Sequence, residues 1–172
     1  MTGATVQLSL LRHAHAGDPA RWKGPDADRP LSARGRQQAE RLAAFLAEHE
    51  QRPDRLISSP KVRAIETAEA VARVFDVPIR NDVRLAAPLD LAAVDAILDD
   101  ALRGEPGTAG TSRVMLVGHD PDFSELLREL TGIPDLTMRK GALARIDAPR
   151  PLRPGGGTLV WLVPPQLLDP AG

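Results

Sequence analysis

One guanidinium and two imidazole groups stand at the end of the first apolar stretch of this 172-residue chain. Residues 6–11 begin by alternating apolar and polar side chains, the period of a half-buried strand, and Arg12, His13 and His15 follow. Arginine binds oxyanions through paired N–H groups, and neutral imidazole is a nucleophile near pH 7. Each of these residues alone is common at a strand end. The prediction of a functional site therefore requires further residues of this kind from elsewhere in the chain.

Two later apolar runs end in residues of the same kind. Arg63 follows the run 55–58, and His119 and Asp120 follow the run 113–117. Both junctions lead into predicted helices. Because the carboxyl ends of parallel strands meet at one edge of a sheet, we expect the three junctions to form one cationic pocket there. Such a pocket suits a small, multiply charged oxyanion such as a phosphoryl group.

The order of the predicted elements indicates an α/β protein, because strands alternate with helices. After the opening strand, strands are predicted at 55–58, 77–80, 113–117, 142–146 and 158–163, the last two as a hairpin or an edge pair. Helices are predicted from the cap Ser32 to about Glu50, from the cap Ser59 with the face Ile65, Ala68, Ala72 and Phe75, after Asp90, and after Pro121. Segments 16–30 and 104–111 are predicted loops. We expect a three-layer α/β/α sandwich with a largely parallel sheet, in one domain over 1–172.

Composition excludes several classes of protein. The formal net charge of -1 provides no general attraction for nucleic acid or an anionic membrane, so a bound anion needs locally gathered cations. The absence of cysteine excludes disulfides, thiolate zinc sites and a cysteine nucleophile. No apolar stretch approaches the roughly 20 residues that cross a bilayer. We therefore expect a soluble, cytoplasmic protein without nucleic-acid or membrane partners.

These arginine and histidine side chains could act on a phosphoryl group without a metal or other cofactor, with His13 reacting at phosphorus. Attack of the imidazole on phosphorus forms a phosphohistidine and divides one hydrolysis into two displacements. Charge spreads over the oxygens in the transition state, where one arginine can contribute about 10³ or more in rate.

Three segments carry a resemblance to a known family. They are Leu11-Arg12-His13-Ala14, Ser58-Ser59-Pro60-Lys61-Val62-Arg63-Ala64-Ile65-Glu66-Thr67-Ala68 and Val117-Gly118-His119-Asp120-Pro121. In this order they resemble the signature segments of the histidine phosphatase superfamily, which has the phosphoglycerate-mutase-like fold. The short chain, with little room for a cap insertion, and the segment 28–35 are most similar to SixA-type phosphohistidine phosphatases.

The resemblance implies a role for each matching residue. His13 would accept the phosphoryl group, Arg12 and Arg63 would hold its oxygens, His119 would complete the pocket, and Arg29 would add a contact from the long loop. The substrate would be a phosphohistidine protein or a small phosphorylated metabolite.

The proton donor for the leaving group is open at this stage. Many relatives supply a carboxylate after the third strand, but residues 83–89 contain none. Asp120 could take that role or could cap the following helix, and the sequence favours neither. Asp18 and His15 are weaker candidates. A phosphoramidate tolerates a missing acid, because its nitrogen can be protonated before cleavage.

Three alternatives compete with this interpretation. His13, His15, His119 and Asp120 could belong to a metal-dependent hydrolase. A non-catalytic module could use the arginines to bind a phosphorylated partner. Within the same fold, a small-molecule phosphomonoesterase is the third. Four residues could border the pocket and select the substrate, or be surface residues: Trp22, Lys23, Arg139 and Lys140.

Overall fold

A mixed six-stranded β-sheet forms the centre of the structure, a computed structural model that describes residues 5–103 and 111–169. The strands are β1 (Thr5–Arg12), β2 (Arg55–Ser58), β3 (Ile79–Asn81), β4 (Ser112–Gly118), β5 (Leu143–Pro149) and β6 (Thr158–Val163). Their order across the sheet is β3-β2-β4-β1-β5-β6. The first four in this order are parallel neighbours, whereas β5 and β6 run antiparallel. The last two predicted strands thus form an antiparallel pair, but only β6 lies at the edge.

Four helices cover the two faces of the sheet. They are α1 (Ala33–Glu48), α2 (Val62–Phe75), α3 (Leu91–Leu102) and α4 (Asp122–Thr131). Apolar residues of α3 and α4 share one core cluster with Leu8 and Leu116, while those of α1 and α2 share another with Leu11 and Val117. The clusters lie on opposite faces because successive strand residues point to opposite sides. The predicted three-layer sandwich, without a large cap insertion, is confirmed.

The register of the parallel strands brings three strand ends together. Arg12 of β1 pairs with Gly118 of β4, and Ser58 of β2 pairs with Val117. The pairing continues past the strands, since His13 N–H donates to the Gly118 carbonyl at 3.0 Å and Ser59 N–H donates to that of Val117 at 2.9 Å. The three predicted junctions therefore lie side by side.

Helix α2 differs from its prediction at the start and in its buried face. It begins at Val62, and the hydroxyl of Ser59 contacts His119 instead of capping the helix. Of the predicted face only Ala68 is fully buried. The buried residues of α2 are Arg63, Ala64, Thr67, Ala68, Ala70 and Val71. The helix packs against both α1 and the sheet, and this arrangement turns its small and polar residues toward the strand ends.

The structure confirms the predicted helix caps Ser32 and Asp90. The Ser32 hydroxyl accepts the Gly35 N–H at the start of α1, and the Asp90 carboxylate accepts the Ala93 N–H at the start of α3. The predicted loop 16–30 contains two 3₁₀ turns, Pro19–Arg21 and Asp26–Asp28. The predicted loop 104–111 lies, except for Thr111, outside the described residues. In the described part of the chain, no helix combines the length and apolar character that spanning a bilayer requires.

Gly35 lets α1 approach the segment that follows β1. A Cβ at this position would lie 1.9 Å from the His15 carbonyl oxygen, far inside any tolerated contact. The same carbonyl accepts the Ser32 N–H at 2.9 Å. The first turn of α1 is thereby fixed against the chain two residues beyond His13.

We expect Gly35→Ala to destabilise the fold by about 1–3 kcal/mol or more, because the methyl group must push α1 away from backbone atoms. Urea unfolding measures this change. The matched control is Gln37→Ala, since Gln37 is exposed on the same helix. Equal free energies of unfolding for the two variants would contradict the close approach.

Candidate active site

The His13 imidazole lies directly after β1 and is only 6% exposed. Its Nδ1 is 2.8 Å from the Ala14 carbonyl oxygen, which can only accept, so Nδ1 carries the hydrogen. Nε2 is then the unprotonated atom. Burial lowers the pKa of His13 to about 3, the hydrogen bond to Ala14 opposes this shift, and the nearby His119, Arg63 and Arg12 add to it. The ring is a neutral nucleophile across the physiological range.

Arg12 is held at the end of β1 by the turn that precedes β5. Its Nη1 donates to the Met138 carbonyl at 2.6 Å, and the Gly141 N–H donates to the carbonyls of both Arg12 and His13. Its Nε is buried and has no hydrogen-bond partner. One edge of the guanidinium is therefore anchored, while the Nε edge is unused.

Arg63 reaches the same place from the first turn of α2 and is 5% exposed. Nη1 donates to the Asp26 carbonyl at 2.7 Å, and Nη2 donates to the Asp26 carboxylate at 2.9 Å. Its Nε, like that of Arg12, is buried without a partner. Burial lowers the pKa of Arg63, and the charge and hydrogen bond of Asp26 oppose that shift.

His119 follows β4 and faces His13, with the ring centroids 5.2 Å apart. Its Nε2 is 2.7 Å from the Ser59 hydroxyl, which accepts the Lys61 N–H at 3.3 Å. In the tautomer in which the Ser59 hydroxyl donates to Nε2, the ring hydrogen lies on Nδ1, and we assign this tautomer because it lets His119 donate to a bound anion. Burial, followed by the charges of Lys61 and Arg63, lowers the pKa of His119 to about 3.

The three groups around His13 share an unusual property. Within the described residues, five buried side-chain polar atoms have no hydrogen-bond partner, and three of them are Arg12 Nε, Arg63 Nε and His119 Nδ1. A buried donor without a partner costs about 1–3 kcal/mol, so native structures rarely keep one without a reason. Three such donors beside one imidazole form a cradle for the oxygens of an anion.

Arg29 is buried near this cradle but is engaged with the protein. Its Nε donates to the Asp26 carboxylate at 3.0 Å, and its Nη1 donates to the Ala16 carbonyl at 2.7 Å. Arg29 is therefore linked to Arg63 at the edge of the pocket through the carboxylate of Asp26. The contact with a phosphoryl oxygen stays a prediction.

Asp120 joins the start of α4 to Arg12. Its two oxygens accept the Ser124 hydroxyl at 2.8 and 2.9 Å, and Oδ1 also accepts the Ser124 N–H. Oδ2 lies 3.6 Å from Arg12 Nη1. The carboxylate therefore acts on the first turn of the helix as a cap would, although the residue directly before the helix is Pro121. Burial raises the pKa of the neighbouring Asp122, and the charges of Glu125 and Asp120 add to the rise.

Sequence reasoning missed Asp26 and assigned no role to Thr67, although Thr67 lies in the second signature segment. Asp26 binds both Arg63 and Arg29, and its only sequence signal is a carboxylate three residues before Arg29. Thr67 accepts the Ala14 N–H at 3.1 Å and donates to the Arg63 carbonyl at 2.7 Å. Its signal is a hydroxyl one helical turn after Arg63 in an alanine-rich helix.

The remaining candidates bond to other groups, have a lowered pKa, or are exposed. His15 Nδ1 is 2.7 Å from the Ser32 hydroxyl, and burial together with the charge of Lys140 lowers its pKa. Burial and the charges of Arg12, Arg29 and Arg63 lower the pKa of Lys140 as well. The Trp22 indole N–H donates to the Pro25 carbonyl, and Asp18 accepts the Ala20 N–H. Lys23 and Arg139 are exposed.

A metal site does not form from these residues. Across residues 5–103 and 111–169, no group of three or more histidine or acidic side chains is arranged to hold a metal ion. The histidine ring of His15 turns to Ser32 instead of joining His13 and His119. The arrangement predicted for a metal-dependent hydrolase is therefore absent from the described residues.

Comparison with known proteins indicates the family to which this fold belongs. The family model of the histidine phosphatase superfamily (branch 1) matches residues 8–87. Phosphohistidine phosphatase SixA of Escherichia coli (strain K12) is 28% identical over 163 residues, which cover 93% of this chain and 94% of that protein. A solved structure of the protein histidine phosphatase SixA complexed with tungstate is similar with a TM-score of 0.77 at 27% identity, covering 95% of this chain and 100% of that one.

A second relative shares a shorter region. An 8-oxo-(d)GTP phosphatase of Mycolicibacterium smegmatis is 38% identical over 78 residues, and the match covers 45% of this chain and 24% of that protein. The signature segments, the three-layer fold and the similarity to SixA over most of both chains agree with one another. This chain therefore belongs to the histidine phosphatase superfamily and is a phosphatase.

Proposed function

We propose that this phosphatase works without a metal, through a covalent phosphohistidine on His13, and that its substrates are phosphohistidine proteins, as for the SixA relatives. The observation that carries the proposal is the set of unpartnered donors on Arg12, Arg63 and His119 around a neutral imidazole. The negatively charged oxygens of a phosphoryl group would accept hydrogen bonds from these donors.

In the first step, His13 Nε2 forms a bond to phosphorus while the bond to the leaving group breaks. The leaving nitrogen, already protonated from solvent, departs as neutral imidazole with the electron pair of the P–N bond, and the phosphoryl group stays on His13. In the second step, water attacks phosphorus, the N–P bond breaks, and inorganic phosphate and neutral His13 result. The hydrogen bond from Nδ1 to the Ala14 carbonyl keeps Nε2 directed at phosphorus in both steps.

Fixed donors stabilise the transition state. Arg12 Nε, Arg63 Nε and His119 Nδ1 each donate to a phosphoryl oxygen, on which charge spreads during transfer. Because these donors are already in place and buried, little reorganisation is needed when the charge develops.

The occupied carboxylates favour a phosphoramidate substrate. Asp120 is bound by Ser124 and Arg12, and Asp26 by Arg63 and Arg29, so both are ion-paired acceptors. A phosphate ester needs a proton donor for its alkoxide, whereas the nitrogen of phosphohistidine can be protonated before the bond breaks. The similarity to SixA supports the same substrate class.

We expect His13→Ala to abolish the covalent intermediate and to lower kcat/KM by about 10⁴-fold or more, because the nucleophile is removed. Rapid quenching in alkaline detergent after mixing with a radiolabelled phosphohistidine protein, followed by gel separation of the two proteins, measures the acid-labile phosphoenzyme. The control is His49→Ala, since His49 is exposed at the end of α1 and should retain activity and labelling. If wild-type enzyme is active but never labelled, or His13→Ala is labelled equally, the covalent mechanism is excluded.

A second prediction concerns substrate class. We expect turnover of a phosphohistidine protein to exceed that of a panel of phosphate esters, because the carboxylates of Asp26 and Asp120 are ion-paired acceptors and do not serve as proton donors to an alkoxide leaving group. Phosphate release in the presence of excess chelator is the measurement. The similarity to an 8-oxo-(d)GTP phosphatase makes nucleotides the essential members of that panel. Faster cleavage of an ester would reject the phosphohistidine assignment and leave a small-molecule phosphatase.

A third prediction concerns pH. With folded pKa values of about 3, His13 and His119 should stay neutral from pH 8 to pH 5. NMR of the ring nitrogens tests this, with the urea-unfolded chain as reference, where histidine titrates near 6.5. Because the unfolded state binds more protons between pH 6.5 and 3, their contribution to the free energy of unfolding is lost as pH falls through that window. Titration of His13 near 6.5 in the folded protein would disprove its burial.

A further inference from the structure

We infer that Asp26 is a positioning residue, which holds the guanidinium of Arg63 so that its Nε edge faces the phosphoryl group. The inference rests on the proposed function and adds a residue that acts through Arg63 without touching the substrate. It depends on the contacts of the loop that connects β1 with α1.

Asp26 occupies one edge of the Arg63 guanidinium with two different groups. Its backbone carbonyl accepts from Nη1 at 2.7 Å, and its carboxylate Oδ2 accepts from Nη2 at 2.9 Å. The planar guanidinium presents its five N–H donors in a fixed fork. Holding both Nη atoms therefore fixes the direction of the Nε–H, which is the buried donor without a partner.

The Asp26 carboxylate is itself fixed from the other side. Oδ1 accepts from Arg29 Nε at 3.0 Å, and Arg29 Nη1 is anchored on the Ala16 carbonyl at 2.7 Å. Ala16 lies three residues after His13. The contacts thus form a continuous series from the chain beside the nucleophile, through Arg29 and Asp26, to Arg63.

Charge explains why a carboxylate is needed here. The side chains of Arg29 and Arg63 are 10% and 6% exposed, whereas that of Asp26 is 54% exposed. Two buried guanidinium groups repel each other, and Asp26 is the carboxylate that pairs with both. One negative charge between two positive charges holds the arginines together and still leaves a net positive charge for the phosphoryl group.

The contacts of Asp26 indicate that it positions Arg63 and does not occupy the place of the substrate. A bound phosphate could replace the Asp26 carboxylate on Arg63. However, Arg63 Nη1 is held by the backbone carbonyl of Asp26, which a phosphate cannot replace without moving the chain. Displacing Asp26 would therefore require moving the 3₁₀ turn Asp26–Asp28, in which the Asp28 N–H donates to the Pro25 carbonyl. The Nε edge, by contrast, is available without any displacement.

A double-mutant cycle between Asp26 and Arg63 tests the inference. We expect Asp26→Ala to lower kcat/KM by roughly 10²-fold, the order that a misplaced reacting group costs. Asp26→Asn should lose less, about 10-fold, because its amide oxygen still accepts from Nη2. In the Arg63→Ala background, Asp26→Ala should produce less than about a twofold further loss.

Asp28→Asn is the matched control, because Asp28 lies in the same turn, is exposed, and forms no side-chain hydrogen bond or ion pair with the residues that the structure describes. It should keep wild-type kcat/KM. Circular dichroism establishes that each variant is folded, and Asp26→Asn completes the cycle if Asp26→Ala does not fold. Vanadate affinity, measured by calorimetry, should follow the same pattern as kcat/KM.

The outcomes separate this inference from the proposed function. Losses that multiply in the double variant, or wild-type kcat/KM and vanadate affinity in Asp26→Ala, would overturn the role of Asp26. Absence of phosphohistidine turnover in the wild type would overturn the proposed function, while the vanadate cycle would still test the coupling of Asp26 to Arg63.

Discussion

The site depends on one constraint: buried arginine side chains with unused hydrogen-bond donors lie beside one buried imidazole. Removing an arginine from water is costly unless carbonyl or carboxylate oxygens replace the lost hydration. The structure provides these oxygens on one edge of each guanidinium, from Met138 for Arg12 and from Asp26 for Arg63. The Nε–H groups on the other edges, together with His119 Nδ1, have no hydrogen-bond partner, and these are the donors proposed to bind the anion. Stability and anion affinity therefore depend on the same two side chains.

The same environment sets the protonation of the nucleophile. Burial disfavours the imidazolium form of His13, and the two arginines and His119 disfavour it further, so its pKa falls to about 3. The carbonyl of Ala14 then selects which nitrogen of the neutral ring is protonated. The cationic pocket thus keeps His13 neutral, and both properties favour its proposed reaction with a phosphoryl group.

Close backbone approaches hold these groups at the correct distances. Gly35 allows α1 to contact the His15 carbonyl, and Gly118 leaves room for Phe123, whose ring lies 2.6 Å from where a Cβ would be. Thr67 ties the segment after β1 to the first turn of α2 through the N–H of Ala14. These contacts join elements that are distant in sequence, so the site is a property of the whole sandwich.

The sequence by itself determined, to within one residue, the ends of the strands that carry the site, β1, β2 and β4, and most caps, because apolar runs, prolines and N-cap residues are local signals; β3 and β5 end later than predicted. It thereby predicted the layered fold and the meeting of Arg12, His13, Arg63 and His119. Tertiary packing decided which partner each polar group takes: Ser59 contacts His119 instead of capping α2, and Arg29 pairs with Asp26. The contact of Asp26 with Arg63 spans 37 residues from an irregular loop, which has no periodic pattern. Such choices depend on which donors and acceptors burial brings together, and sequence spacing does not encode that distance.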